Sequence, residues 1–164
     1  MEKFIKKTNA GFTLVEILVT VFLFSLAFTA TTFILLTNQK NAVAIKNNLI
    51  ASGLAQEGIE IVRNIRDNDW FLGNPFGTSM PNGTFRVQWD SRALILLGGN
   101  PNLNIGQTSG VFSYNFGNPT IFARTLEIET VVPNIEKKVT VTVSWTERGN
   151  SRSLSTEEHL FNWH

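Results

Sequence analysis

Ile17–Leu36 reads ILVTVFLFSLAFTATTFILL, twenty residues without a charge, a proline or a glycine. As a helix rising about 1.5 Å per residue, such a run covers roughly 30 Å, the hydrocarbon thickness of a bilayer. Apolar side chains surround the whole cylinder, interrupted only by Thr and Ser, whose hydroxyls return to carbonyls one turn back. Ahead of it stand Lys3, Lys6 and Lys7, and a basic flank of this kind stays in the cytoplasm while the chain beyond the span is exported. One membrane span explains how 43% hydrophobic and only 16% charged residues give a mean hydropathy of just +0.03. The remaining length, out of 164 residues, holds one compact domain and not two. Fourteen basic against thirteen acidic residues leave +1, so charge implies no nucleic-acid partner. Zero cysteines exclude disulfides, thiolate nucleophiles and cysteine metal sites, so an exported domain here is held by packing alone.

A secretory signal peptide begins in the same way. The residues after Leu36, TNQKNAVAIKNNLIASGLAQEG, offer no strong small-x-small cut site, however, and the apolar run exceeds a typical signal core. An uncleaved signal anchor is the plain alternative. The residues before the span argue otherwise. Thr8-Asn9-Ala10-Gly11-Phe12-Thr13-Leu14-Val15-Glu16 resembles the prepilin processing motif of the type IV pilin and pseudopilin superfamily. The resemblance covers about residues 3–36 and implies that a peptidase cuts between Gly11 and Phe12, and that the new amino-terminal Phe12 is N-methylated. Glycine suits such a site because, without a Cβ, it lies extended and close against a protease backbone.

Glu16 is the sole charge among residues 12–36. A carboxylate at bilayer mid-depth costs on the order of 3 kcal/mol by insertion scales, so such groups are paired or functional unless they snorkel to the headgroups. The resemblance implies an assembly role, in which Glu16 of one subunit meets the Phe12 amine of its neighbour. Two departures from family habit stand out. There is no helix-kinking proline before Pro75, with Phe33 inside the span, and there is no carboxy-terminal disulfide loop.

Residues 38–66 keep a helical habit beyond the span. Ile50, Leu54, Gly58, Ile61 and Ile65 form one stripe at helical spacing, while Glu57, Glu60, Arg63 and Arg66 lie elsewhere, with Glu60 and Arg63 placed to pair. Gly53 and Gly58 each cost roughly 1 kcal/mol against Ala, and Gly58 in the stripe admits close packing. The pattern predicts a helix of about fifty residues, closed by Asp67-Asn68-Asp69 before Trp70-Phe71. That oxygen cluster invites a calcium reading, but the spacing of a calcium loop is missing, and a solvated helix end is the preferred reading.

Turn chemistry fills 73–83 and 98–106. Strands are expected at Thr84–Trp89, Val111–Phe116, Ile121–Val131, Glu136–Thr146 and Arg152–Leu160. In the fourth, Lys137, Val139, Val141, Val143 and Trp145 share one face against Lys138, Thr140, Thr142, Ser144 and Thr146. Pro133-Asn134 and Arg148-Gly149-Asn150 make short antiparallel connections. The valine face needs apolar cover, and the Ile50–Ile65 stripe supplies it. The fold class is α+β, a long amino-terminal helix packed on a carboxy-terminal antiparallel sheet, the lollipop that the resemblance also implies. The ending His159-Leu160-Phe161-Asn162-Trp163 is expected to be mostly core.

No catalytic residues, cofactor or metal ligands are expected. His159 and His164 fit no metal spacing, no nucleophile or phosphate motif appears, and Asp90 beside Trp89 lacks the evident second carboxylate that glycoside chemistry needs. The resemblance, with the charge pattern, implies that residues 1–11 are a cleaved leader, 12–36 a transmembrane and assembly helix, and 37–164 an exported head. The resemblance implies a structural subunit, a pilin, minor pilin or pseudopilin, of a pilus-like filament or a secretion or DNA-uptake pseudopilus. Its partners would be other pilin subunits, the prepilin peptidase and methyltransferase, and an inner-membrane assembly platform. It would lie in the bacterial cytoplasmic membrane, amino terminus inside, and then in a surface fibre. The alternative is a membrane-anchored binding domain that never polymerises and grips a ligand with the loops at 73–83 and 98–106. Loss of residues 1–11 removes three lysines and one glutamate, taking the charge from +1 to −1, so the head has no broad electrostatic grip on DNA.

Overall fold

The structure, a computed structural model, describes residues 11–163. The expected leader residues before Gly11, and His164, lie outside the described residues. A single helix, α1, runs Leu14–Phe71, 58 residues, and eight strands follow: β1 Gly83–Arg86, β2 Ile95–Leu96, β3 Asn104–Ile105, β4 Phe112–Ser113, β5 Asn118–Pro119, β6 Phe122–Val132, β7 Glu136–Glu147 and β8 Asn150–Phe161. The chain divides into two compact units, one up to Val43 and one from Ala44 onward.

In the first unit α1 is exposed on every side, and α1 is long and apolar enough to cross a membrane. Its hydroxyls are satisfied internally, as an apolar solvent requires. Thr20 donates to the Glu16 carbonyl at 2.6 Å, Ser25 to Val21 at 2.7 Å, and Thr29, Thr31, Thr32 and Thr37 each to the carbonyl four residues back.

In the second unit the remainder of α1 packs on an antiparallel sheet of order β2-β1-β6-β7-β8. Ala51, Leu54, Ala55, Gly58, Ile59, Ile61, Val62 and Ile65 are buried on the helix side. Val139, Val141 and Val143, each 0% exposed, meet them from β7 together with Leu126 and Ile128 of β6. The predicted stripe is therefore right but narrow, and Ile50 lies only at its half-buried margin. Register matters because side chains alternate: Val139, Val141 and Val143 stand opposite Ile128, Leu126 and Arg124, and a slip of one residue would turn the whole valine face outward. The β7–β8 turn has both Arg148 and Gly149 at positive φ, 52° and 79°, the geometry a two-residue hairpin needs.

Several expectations are corrected. The helix does not close at Asp67-Asn68-Asp69 but continues to Phe71. Gly73, at φ 72°, ends it: Gly73 N donates to the Trp70 carbonyl at 3.0 Å and Asn74 N to the Asp69 carbonyl at 2.9 Å, the paired bonds of a glycine-capped helix terminus. Asp69 is not solvated but 1% exposed. Short strands β2, β3 and β5 occur where none was expected, β3 within the predicted loop 98–106. The expected strands at 84–89 and 111–116 shrink to β1 and β4. Two-residue strands carry no alternation to read. They are set by distant partners, as when Thr120 N donates to the Leu103 carbonyl at 2.9 Å and Leu103 N to Phe122 at 2.7 Å. The segment 159–163 is not mostly core. Leu160 is buried at 1%, but His159 and Phe161 alternate to the other face, and Trp163, 65% exposed, stacks on Phe161 at 4.2 Å.

Candidate functional site at the amino terminus

Gly11, Phe12 and Thr13 precede the helix, and Thr13 opens it. The Thr13 hydroxyl accepts from the Glu16 amide at 3.2 Å, and the Thr13 carbonyl accepts from Ile17 N at 3.2 Å. Thr and Glu three apart are the residues of a reciprocal helix cap. Only the Thr13 arm is made. The Glu16 carboxylate gains from the positive end of the helix dipole, yet it has no hydrogen-bond or ion-pair partner among the described residues. It is thus the one formal charge in a long apolar cylinder, one turn from Phe12, which is 81% exposed. A shallow apolar groove lined by Phe12, Ile17, Thr20 and Val21 runs alongside. A Cβ on Gly11 would meet nothing within 4 Å, so nothing among the described residues requires glycine there.

Residues 6–32 match the family model described as the prokaryotic N-terminal methylation motif. That motif supports a type IV pilin- or pseudopilin-type protein. No curated protein and no solved structure matches the chain. The matched motif and the apolar helix are consistent with a membrane-anchored pilin-type chain, while the carboxy-terminal unit lies beyond the matched segment.

The other candidates do not assemble into a site. Asp69 accepts from Ser79 N at 2.9 Å, Ser79 Oγ at 2.7 Å and Asn74 Nδ2 at 3.3 Å, so it fastens the 73–83 loop to the helix end. No cluster of three or more metal-ligating side chains occurs among the described residues. Asp90 accepts from Gln88 Nε2 at 2.8 Å. His159 sits between Glu136 at 2.5 Å and Glu157 at 3.2 Å, and these two hydrogen bonds, Glu136 first, hold its pKa above the ordinary 6.5. Of the two loops expected to grip a ligand, 73–83 is tied to Asp69 through Asn74 and Ser79, and 98–106 contains β3, which pairs with β4 and β5.

Two cations are buried, of which Arg124 escaped the sequence reading while Lys137 was placed on the valine face. Arg124, 0% exposed, sits among Phe122, Leu126 and Ile128 on the inward face of β6. It donates from Nη1 to the Leu54 carbonyl at 2.9 Å and to Glu57 Oε1 at 3.0 Å, and from Nη2 to the Val87 carbonyl at 2.5 Å. It thereby joins helix, sheet and the segment after β1. Its signal was an arginine at an apolar position of an alternating strand. Lys137 is only 9% exposed, and burial lowers its pKa.

Proposed function

We propose that the chain is a structural subunit of a type IV pilus-like filament or of a related secretion or DNA-uptake pseudopilus. Residues 1–11 are removed as a leader, 12–36 serve as membrane and assembly helix, and 37–164 form the exported head. Glu16 carries this reading: it is the single charge in the apolar segment and its carboxylate lacks a partner among the described residues. Cleavage after Gly11 creates an amine on Phe12, and N-methylation leaves that amine cationic. Glu16 of one copy and Phe12 of the next then neutralise each other as helices pack. Each offsets the cost of holding the other out of water, which rewards one stagger between copies over its neighbours. The unconstrained space around Gly11 agrees with a glycine required by a peptidase acting at the cytoplasmic face. The chain is the substrate of cleavage and methylation and has no catalytic role of its own. Its partners are further pilin-type subunits and an inner-membrane assembly platform.

Mass spectrometry of the mature chain tests this directly. The expected terminus is methylated Phe12 without residues 1–11. A retained lysine-bearing leader refutes the reading and leaves a tethered binding domain. With processing intact, Glu16→Ala is expected to be cut normally yet to be lost from sheared filaments, and normal incorporation would defeat the pairing argument.

A further inference from the structure

Lys137 has an unusual environment for an ammonium. Its neighbour Gly77 closes over the side chain, whose Cε would collide with a Cβ there. Its Nζ donates to Thr130 Oγ1 at 2.9 Å and to Asn82 Oδ1 at 3.3 Å, and Thr130 Oγ1 donates to the same Asn82 oxygen at 2.7 Å. No carboxylate pairs with Lys137 among the described residues. Buried cations are ordinarily matched by an anion, and here every acceptor is neutral.

The residue after Asn82 is Gly83, giving the one Asn-Gly pair in the chain. Gly83 lacks a Cβ to shield its amide and stands at φ 145°, a conformation that favours glycine. Asn82 itself is exposed to water. Both Lys137 and Thr130 donate to Oδ1, the atom on which negative charge develops when a nucleophile attacks the side-chain amide carbon. Fixed donors at such an oxygen stabilise the transition state more than the ground state.

We propose that Asn82-Gly83 is a self-deamidating site, in which Lys137 and Thr130 polarise the Asn82 amide and the resulting carboxylate becomes the counter-ion that Lys137 lacks. The Gly83 nitrogen attacks Asn82 Cγ. The Cγ–Nδ2 bond breaks, and the Gly83 amide proton leaves with the nitrogen as ammonia. The cyclic imide that remains takes up one water and opens to aspartate or isoaspartate. One water is consumed and one ammonia released, with no oxidant or reductant. The aspartate product keeps its carboxylate at the position of Asn82 Oδ1, beside Lys137, and clamps the 73–83 loop to β6 and β7 by an ion pair in place of neutral hydrogen bonds; isoaspartate moves Cγ into the backbone.

Peptide mapping of the detergent-solubilised full chain, aged in neutral buffer, provides the test. The acid form is expected at Asn82 ahead of every other asparagine in the same digest, and faster in the folded chain than in the urea-unfolded one. Loss of one donor, by Thr130→Val, slows conversion by about tenfold, below the larger losses that removing an enzyme's oxyanion donor brings. Lys137→Met acts in the same direction, and Thr130→Val keeps the test alive where the lysine variant fails to fold. Asn82→Asp is expected to raise the thermal midpoint, and that gain to vanish in Asn82→Asp combined with Lys137→Met. Conversion at Asn82 no faster folded than unfolded, or indifferent to Thr130→Val, overturns the proposal. So does a peptide covalently joining Lys137 to Asn82, which would mean the amine itself attacks.

Discussion

Gly53 and Gly58 lie five residues apart on α1, and the same substitution is expected to move stability in opposite directions at the two. An ideal Cβ at Gly53 meets nothing within 4 Å, and the residue is exposed. Gly53→Ala therefore gains helix propensity alone, about 1 kcal/mol. At Gly58 the same Cβ would stand 2.9 Å from Val141 Cγ1, 3.2 Å from Cγ2 and 3.5 Å from Arg124 Cδ. Val141 is β-branched and fully buried in the middle of β7, so its methyls cannot turn aside, and Arg124 is held by three hydrogen bonds. Overpacking of this kind costs about 1–3 kcal/mol, which the propensity gain of about 1 kcal/mol offsets only in part, leaving Gly58→Ala destabilising by up to about 2 kcal/mol. At about 2–4 °C of thermal midpoint per kcal/mol for chains of this size, the two variants separate in tryptophan-monitored melting of the solubilised chain. If Gly58→Ala melts at or above Gly53→Ala, Gly58 is no packing notch and the close approach of helix to β7 is wrong.

Two further outcomes concern the buried and surface charges. Arg124→Met removes the donors to the Leu54 and Val87 carbonyls and leaves Glu57 without its cation. It is expected to cost about 2–4 kcal/mol, kept below a fully buried ion pair because Glu57 reaches water, and it is read as a lower urea midpoint. His159 has a folded pKa raised above the unfolded value by Glu136 and then Glu157, so its contribution to stability is complete below that unfolded value, near the ordinary 6.5, and fades as pH rises through the folded one. The His159→Gln variant is expected to lose the difference between acid and mildly alkaline unfolding midpoints that the parent shows, and an unchanged pH profile would dismiss the Glu136–His159–Glu157 cluster as a source of it.

Local chemistry determined the amino-terminal segment up to Leu36 without help from tertiary contacts. Twenty apolar residues, a basic flank, a glycine before phenylalanine and one carboxylate are properties of a short stretch, because the length and charge that suit a membrane span are read along a linear segment. Period-two alternation likewise disclosed β7 and its valine face, since one long strand with one buried side must alternate. The course of the helix end was not legible in this way. Asp67-Asn68-Asp69 looks like a terminus, yet Asp69 joins the helix because Ser79, ten residues on, supplies its donors. The two-residue strands, the bonds of Arg124 to positions 70 and 37 residues away, and the contact of Lys137 with Asn82 across 55 residues were decided by tertiary structure alone. A buried charge finds its partners wherever the fold leaves an uncommitted oxygen, and no spacing along the chain records where that is.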